Sequence, residues 1–303
     1  MTIGVGRFRY QMDRGWAKLP ADKTFGTTHA IAAASDGRIF VFHTGPECVF
    51  IFSPAGEFLA SWGADYSGGA HGMDIRQEED GEFLYLTSSS DGVVVKTTLD
   101  GEEVLRIGAP PRPDIYVDDR RYQPTETAVA AGGDLFVADG YGQSWVHRFS
   151  AAGEYLTSFN GGASPLDNPH GIMIESRMGP ERLLIADRGH HMLRYFDFDG
   201  RPLGDVDAGL RFPCSAVQAG DNLYIPDLHS RITVLDYDDR PVAQLGDWPG
   251  RWQQPGWPNL PNASSELVSS PHDLHVDSSG NIYLAEWHSD GTGDVSKLTR
   301  LVS

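Results

Sequence analysis

Pro271-His272-Asp273-Leu274-His275-Val276-Asp277 runs on into Ser278-Ser279-Gly280-Asn281-Ile282-Tyr283-Leu284. A short apolar strand meets a tight polar turn and a second strand follows, which is a hairpin signal. The pattern recurs. His170-Gly-Ile-Met-Ile leads to Leu183-Leu-Ile-Ala-Asp187, and His71-Gly-Met-Asp-Ile leads to Phe83-Leu-Tyr-Leu. His170 lies 99 residues after His71, and His272 lies 102 after His170. Identical groups at one point of similar units are how a rotationally repeated fold brings ligands to its axis.

Working outward, the same unit can be placed six times, starting at His29, His71, Thr125, His170, Cys214 and His272. Each has an apolar strand, a turn, and an apolar strand ending near Asp. A loop and an aromatic-rich strand follow, then a turn into a fourth strand. The last turn is plainest at Phe52-Ser-Pro-Ala-Gly56, Thr98-Leu-Asp-Gly101, Phe149-Ser-Ala-Ala-Gly153 and Phe196-Asp-Phe-Asp-Gly200; Asp236-Tyr-Asp-Asp-Arg240 replaces the glycine in the fifth unit. The starts are 42 to 58 residues apart, close to the ~40–50 residues of a four-stranded blade. Apolar residues alternate or run in fours and do not fall at helical spacing. The expectation is all-β, a single six-bladed β-propeller domain over residues 1–303. The sixth unit is short of its outer strand, and residues 7–11 have the alternation to complete it, which closes the ring and removes an edge. Trp248 to Ser265, rich in Pro, Trp and Asn, reads as a loop across one face and a candidate lid.

Composition limits the partners. A formal charge of −18 over 303 residues argues against nucleic acid and anionic membrane, whose phosphates would repel the chain. No stretch approaches the ~20 apolar residues of a membrane helix, and Met1 to Tyr10 carries no signal-peptide pattern, so a cytoplasmic protein is expected. Cys48 and Cys214 form no spacing motif.

His71, His170 and His272 come from alternate blades. Three such imidazoles can hold one ion with an open fourth position, the arrangement of a catalytic zinc, Zn2+, or another divalent transition metal. The bland alternative has these histidines capping strands against backbone carbonyls. His29 belongs to the other alternate set, with Thr125 and Cys214, and reads as channel lining.

Here the chain resembles the NHL-repeat propeller of the peptidyl-α-hydroxyglycine α-amidating lyases (peptidylamidoglycolate lyases). The resemblance runs over nearly the whole chain and is strongest at Ala138-Asp139-Gly140-Tyr141, Ile185-Ala186-Asp187-Arg188 and Pro271-His272-Asp273. It implies zinc on His71, His170 and His272, Tyr141 as the base, and Arg188 as the residue that holds substrate near the metal. It further implies a structural calcium, Ca2+, held by the backbone carbonyls of Ile31 and Met73 and the side chain of Asp273. Two departures stand out. Thr44 occupies the position of a first-blade arginine, and Gly142 that of a cysteine.

Chemically, a substrate R-CO-NH-CH(OH)-COO⁻ must lose its hydroxyl proton for the C–N bond to break, giving an amide and glyoxylate. A metal lowers the hydroxyl pKa, Tyr141 serves as base where its phenolate is stabilised, and Arg188 suits a carboxylate. The alternatives are a channel-wall aromatic for Tyr141 and an inter-blade ion pair for Arg188. His190, His229 and His288, with His29 and Thr44, are weaker substrate-contact candidates, and Asp139, Asp187 and Asp227 read as turn acceptors. The expected activity is a metal-dependent lyase on a small-molecule or peptide substrate with an α-hydroxyglycine-like group. A hydratase or hydrolase with the same three histidines, or a non-catalytic propeller binding protein or glycan, are the other readings.

Overall fold

The computed structural model describes residues 1–117, 121–177, 179–257 and 267–301. The chain is a six-bladed β-propeller, almost all of it antiparallel sheet. It divides into two compact units, Gly68–Gly209 and Met1–Ser67 with Leu210–Ser303, each carrying three sheets.

In the first unit, blade two runs Ala70–Glu78, Gly81–Ser88, Val93–Thr98 and Glu103–Ile107. Blade three runs Glu126–Val129, Leu135–Ala138, Val146–Phe149 and Tyr155–Phe159, and blade four Pro169–Glu175, Arg182–Asp187, Met192–Phe196 and Pro202–Val206. In the second unit, blade one runs Thr28–Ala33, Ile39–His43, Val49–Phe52 and Phe58–Trp62. Blade five has a short first strand, Val217–Ala219, then Asn222–Asp227, Arg231–Leu235 and Pro241–Leu245. Cys214 therefore precedes the strand of its blade, and only a Pro213–Asp227 bridge continues the pairing there. Blade six holds Pro271–Val276, Ile282–Trp287 and Gly293–Arg300. Phe8–Asp13 pairs antiparallel with the last of these, and Thr2–Val5 adds a fifth strand that the sequence pattern did not suggest.

The apolar runs of four become second strands. Ile39–His43 and Leu135–Ala138 are buried along their whole length, because a strand covered on both faces needs no polar alternation. Outer strands such as Pro202–Val206 are exposed at four of five positions. Blades three and four share a core of Phe136, Leu183, Ile185 and Phe196. Blades five and six share one of Tyr10, Val234, Leu284 and Leu298. The turn before each fourth strand needs a left-handed residue. Gly56, Gly101, Gly153 and Gly200 take φ between 79° and 90°, and Asp239 does so at 59° in blade five, where a non-glycine is strained.

One helical turn, Pro249–Trp252, lies in the segment read as a loop. Its proline at the first helical position explains the start. The part of the candidate lid at 258–265 lies outside the described residues. Among the described residues no helix is long and apolar enough to cross a membrane.

Candidate active site

The glycine of the His71-Gly72 pair has a steric cause. A Cβ on Gly72 would stand 2.4 Å from the carbonyl oxygen of Thr125, so glycine lets blade two approach blade three. That carbonyl accepts from the Thr87 hydroxyl at 3.1 Å and lies 2.7 Å from His71 Nδ1. A carbonyl only accepts, so Nδ1 carries the His71 proton and the Nε2 lone pair points away from the strand.

Tyr141 meets that lone pair. Its hydroxyl lies 3.1 Å from His71 Nε2 and 3.1 Å from His170 Nε2. The two imidazoles stand edge-to-face with centroids 4.7 Å apart, and both histidines are buried whereas Tyr141 is 38% exposed. Tyr141 sits in the loop after Leu135–Ala138. Gly140 permits its approach, since a Cβ there would stand 2.5 Å from the Pro169 carbonyl oxygen. Asp139 anchors the loop by accepting from the backbone N–H groups of Gln123 and Gln143 and from the Tyr116 hydroxyl. Burial raises its pKa to about 6 against these hydrogen bonds. At the missing-cysteine position, a Cβ on Gly142 would strike the Asp139 carboxylate at 2.0 Å.

Arg188 follows Arg182–Asp187 in a single 3-10 turn and is 7% exposed. Its guanidinium carbon lies 5.3 Å from the Tyr141 ring centroid, a cation–π contact. Its Nε donates to Asn168 Oδ1 at 2.6 Å, and Asn168 Nδ2 donates to the Gly140 carbonyl at 2.5 Å. Asn168 thus ties the arginine to the tyrosine loop. Sequence reasoning missed it. Asn168 has φ 56° and its N–H donates to the hydroxyl of Ser144, itself at φ 59°. Asparagine tolerates the left-handed region better than most residues, and its place just before Pro169-His170 was the available signal. Within this unit the structure brings together His71, Tyr141, His170 and Arg188. Met73 is buried on the strand of His71.

The other unit repeats the anchoring. His272 Nδ1 lies 2.7 Å from the carbonyl oxygen of His29, the first residue of the next repeat, as Thr125 is for His71. The proton again sits on Nδ1. The His29 and His272 rings are edge-to-face at 4.8 Å. Asp273 accepts from the Ile31 N–H at 3.0 Å and the Ser215 hydroxyl at 2.8 Å, so Ile31 meets it through its N–H.

The weaker candidates have structural partners. The Thr44 hydroxyl accepts the Thr27 N–H at 3.0 Å and closes its own loop. His190, largely exposed, bonds Asp187 at 2.9 Å. His229 stacks between Phe212 and Trp252 with interplanar angles of 7° and 6°. His288 is buried, with Thr292 Oγ1 at 3.4 Å from Nδ1. Asp187 and Asp227 accept backbone N–H groups from Asp167 and Arg211, matching the turn-acceptor reading. Blade one puts His43 in that role. Its Nδ1 accepts from Gly26 and Gly45 at 3.0 Å each, and burial lowers its pKa to about 4.

These elements define the class, a six-bladed β-propeller. No family model matches the chain. It is 25% identical over 265 residues to peptidyl-alpha-hydroxyglycine alpha-amidating lyase 1 of Drosophila melanogaster, which covers 78% of this chain. The chain spans 46% of that protein's length. Among solved structures, a virginiamycin B lyase from Staphylococcus aureus matches at TM-score 0.62 and 13% identity, over 97% of this chain and all of that one. A gluconolactonase from Xanthomonas campestris matches at TM-score 0.66 and 13% identity, over 91% and 86%. At such identities the solved structures speak for the fold.

Proposed function

We propose that the protein is a metal-dependent lyase that cleaves an N-acyl-α-hydroxyglycine to an amide and glyoxylate. The observation that carries this reading is the phenol of Tyr141 set 3.1 Å from both the His71 and His170 Nε2 atoms, with a buried arginine against its ring. The donor set fits a divalent cation. His71 and His272 both have their protons held on Nδ1 by backbone carbonyls, the state in which imidazole offers Nε2 as a ligand. The Tyr141 phenol donates its one proton to a single lone pair, whereas a cation accepts lone pairs from several imidazoles at once. His71 and His170 would hold it with His272, the third histidine of the even spacing. Ile31, Met73 and Asp273 are proposed for a structural calcium.

A bound zinc supplies Lewis acidity toward the substrate hydroxyl. Arg188, held through Nε by Asn168, takes the substrate carboxylate and orients the α-carbon. Tyr141 removes the hydroxyl proton. The O–H electron pair becomes the C=O bond of glyoxylate as the C–N bond breaks, and Tyr141 returns the proton to the departing amide nitrogen. The positive charge of Arg188 stabilises the negative charge that the phenol oxygen carries before it takes the proton and again after it returns it.

The test is elemental analysis of purified wild type beside His170→Ala, with glyoxylate release from an N-acyl-α-hydroxyglycine followed on both. About one transition-metal ion per chain, lost with activity in the variant, is expected. Metal-free wild type from a preparation that does not strip metal overturns the reading.

A further inference from the structure

Blades five and six carry a cavity of about 440 Å³ on the side of their first turns, within the roughly 300–1,000 Å³ of small-molecule sites. Its walls include Arg7 and Phe8 from the first hairpin, Asn222 and Tyr224 from blade five, and Asp277 and Arg300 from blade six. The turns that shape it, at Gly220 and at Asp277 to Gly280, join first to second strands. The loops of His229 and His288 join second to third strands, at the opposite end of the same blades.

Charge distinguishes this cavity. In a chain of net −18, arginines near the surface commonly pair with carboxylates, as Arg38 with Asp36, Arg106 with Glu103 and Arg240 with Asp238; Arg7 is exposed and Arg300 half-buried. Arg7 and Arg300 make no ion pair with a carboxylate among the described residues. Arg7 instead lies 4.8 Å over the Phe8 ring. Arg300 lies across Gly280, where a Cβ would stand 2.8 Å from its Cδ and Nη1. Glycine there lets the guanidinium reach the cavity. Asp277 also lines the wall, yet its oxygens accept from the Ser279 and Asn281 N–H groups and from Asn281 Nδ2, all at 2.8–2.9 Å. Those hydrogen bonds hold the carboxylate against its own turn. Phe8 and Tyr224, edge-to-face at 6.3 Å and almost fully buried, form the aromatic floor.

We propose that this cavity binds a small organic anion, its carboxylate or phosphate taken by Arg7 and Arg300 and its apolar body lying on Phe8 and Tyr224. Guanidinium groups pair planar oxyanions bidentately. Because Arg7 stands in the first hairpin and Arg300 ends the last strand, an occupant joins the two ends of the chain and stabilises the folded state by mass action.

The test is calorimetric titration and thermal unfolding of the intact protein with benzoate and with inorganic phosphate, at constant ionic strength. Benzoate binds saturably, more tightly than phosphate, and raises Tm by several degrees near saturation. Affinity falls at least about tenfold in Arg7→Gln and in Arg300→Gln. It stays unchanged in Arg9→Gln, an exposed neighbour outside the cavity wall. No saturable benzoate binding by wild type overturns the proposal, whether or not the variants fold. Binding of phosphate without benzoate, or an equal loss in Arg9→Gln, also overturns it.

Discussion

Tyr141, Arg188 and Asn168 form a chain of dependence that substitutions can take apart. Tyr141→Phe keeps the ring against Arg188 and removes the group that shuttles the proton in the proposed reaction. The expected fall in kcat is about 100- to 10,000-fold, with the bound metal retained on elemental analysis. Asn168→Ala frees the Arg188 Nε held at 2.6 Å. The expected result is a KM raised about tenfold or more, with a smaller change in kcat, since a hydrogen bond to a charged group is worth roughly 1.5–3 kcal/mol. His43 is a residue-scale case of a different kind. Its Nδ1 accepts two backbone N–H groups and cannot do so when protonated. Its folded pKa of about 4 lies below the ordinary 6.5, so the unfolded chain binds the extra proton between those values. Its stabilisation is complete above pH 6.5 and is lost as pH falls toward 4. In urea unfolding, His43→Asn is expected to gain on wild type by about 1.4 kcal/mol per pH unit through that window. Taking the difference removes the opposite-signed contributions of buried Asp74 and Asp139, both raised to about 6.

At the scale of elements, the loops after the second strands are built on one plan with interchangeable anchors. Asp139, Asp187 and Asp227 each accept backbone N–H groups from the segment that leads into their own blade. Glu286 does so for Ser269 and Ser270, and His43 replaces the carboxylate in blade one. Asp139, Asp187 and Asp227 were readable from the repeat and Glu286 was not; the histidine was missed because its residue type signals titration or ligation before it signals a turn. Gly140→Ala tests how tightly the plan holds the site. The added methyl meets the Pro169 carbonyl at 2.5 Å, and backbone cannot swing aside as a flexible side chain would. Overpacking of this kind costs about 1–3 kcal/mol, so a lowered Tm together with lost glyoxylate release is expected. Unchanged activity would mean that the Tyr141 loop is free to shift.

At the scale of the whole molecule, the ends of the chain meet in one sheet. Tyr10 pairs with Arg300 across Phe8–Asp13 and Gly293–Arg300, and the buried Tyr10 hydroxyl bonds that of Tyr224 at 3.3 Å. Phe8, 4% exposed, packs in the core shared by blades five and six. Phe8→Ala is expected to destabilise the protein by about 3–5 kcal/mol, read as a lower urea midpoint. Glyoxylate release at 25 °C should persist, because Phe8 touches none of the proposed catalytic residues. Tyr10→Phe, which deletes one partner of a buried hydroxyl pair, is expected to cost about 1 kcal/mol.

The sequence by itself determined the repeat, and with it the strands. Apolar runs bounded by turn glycines have one way to bury themselves, and a steric requirement such as the left-handed turn before each fourth strand leaves a local mark. His71 and His170 were legible for the same reason, since each stands at a repeated position, whereas Tyr141 and Arg188 were implied by the family resemblance. What only the tertiary structure decided is what those positions touch. The Nδ1 protons of His71 and His272 are set by carbonyls 54 and 243 residues away in the chain. Asn168 became part of the site because its amide spans two loops, and the guanidiniums of Arg7 and Arg300 line one cavity although almost the whole chain lies between them. Hydrogen bonds and charge pairing depend on distance in space, and a linear sequence carries that distance only where a repeat encodes it.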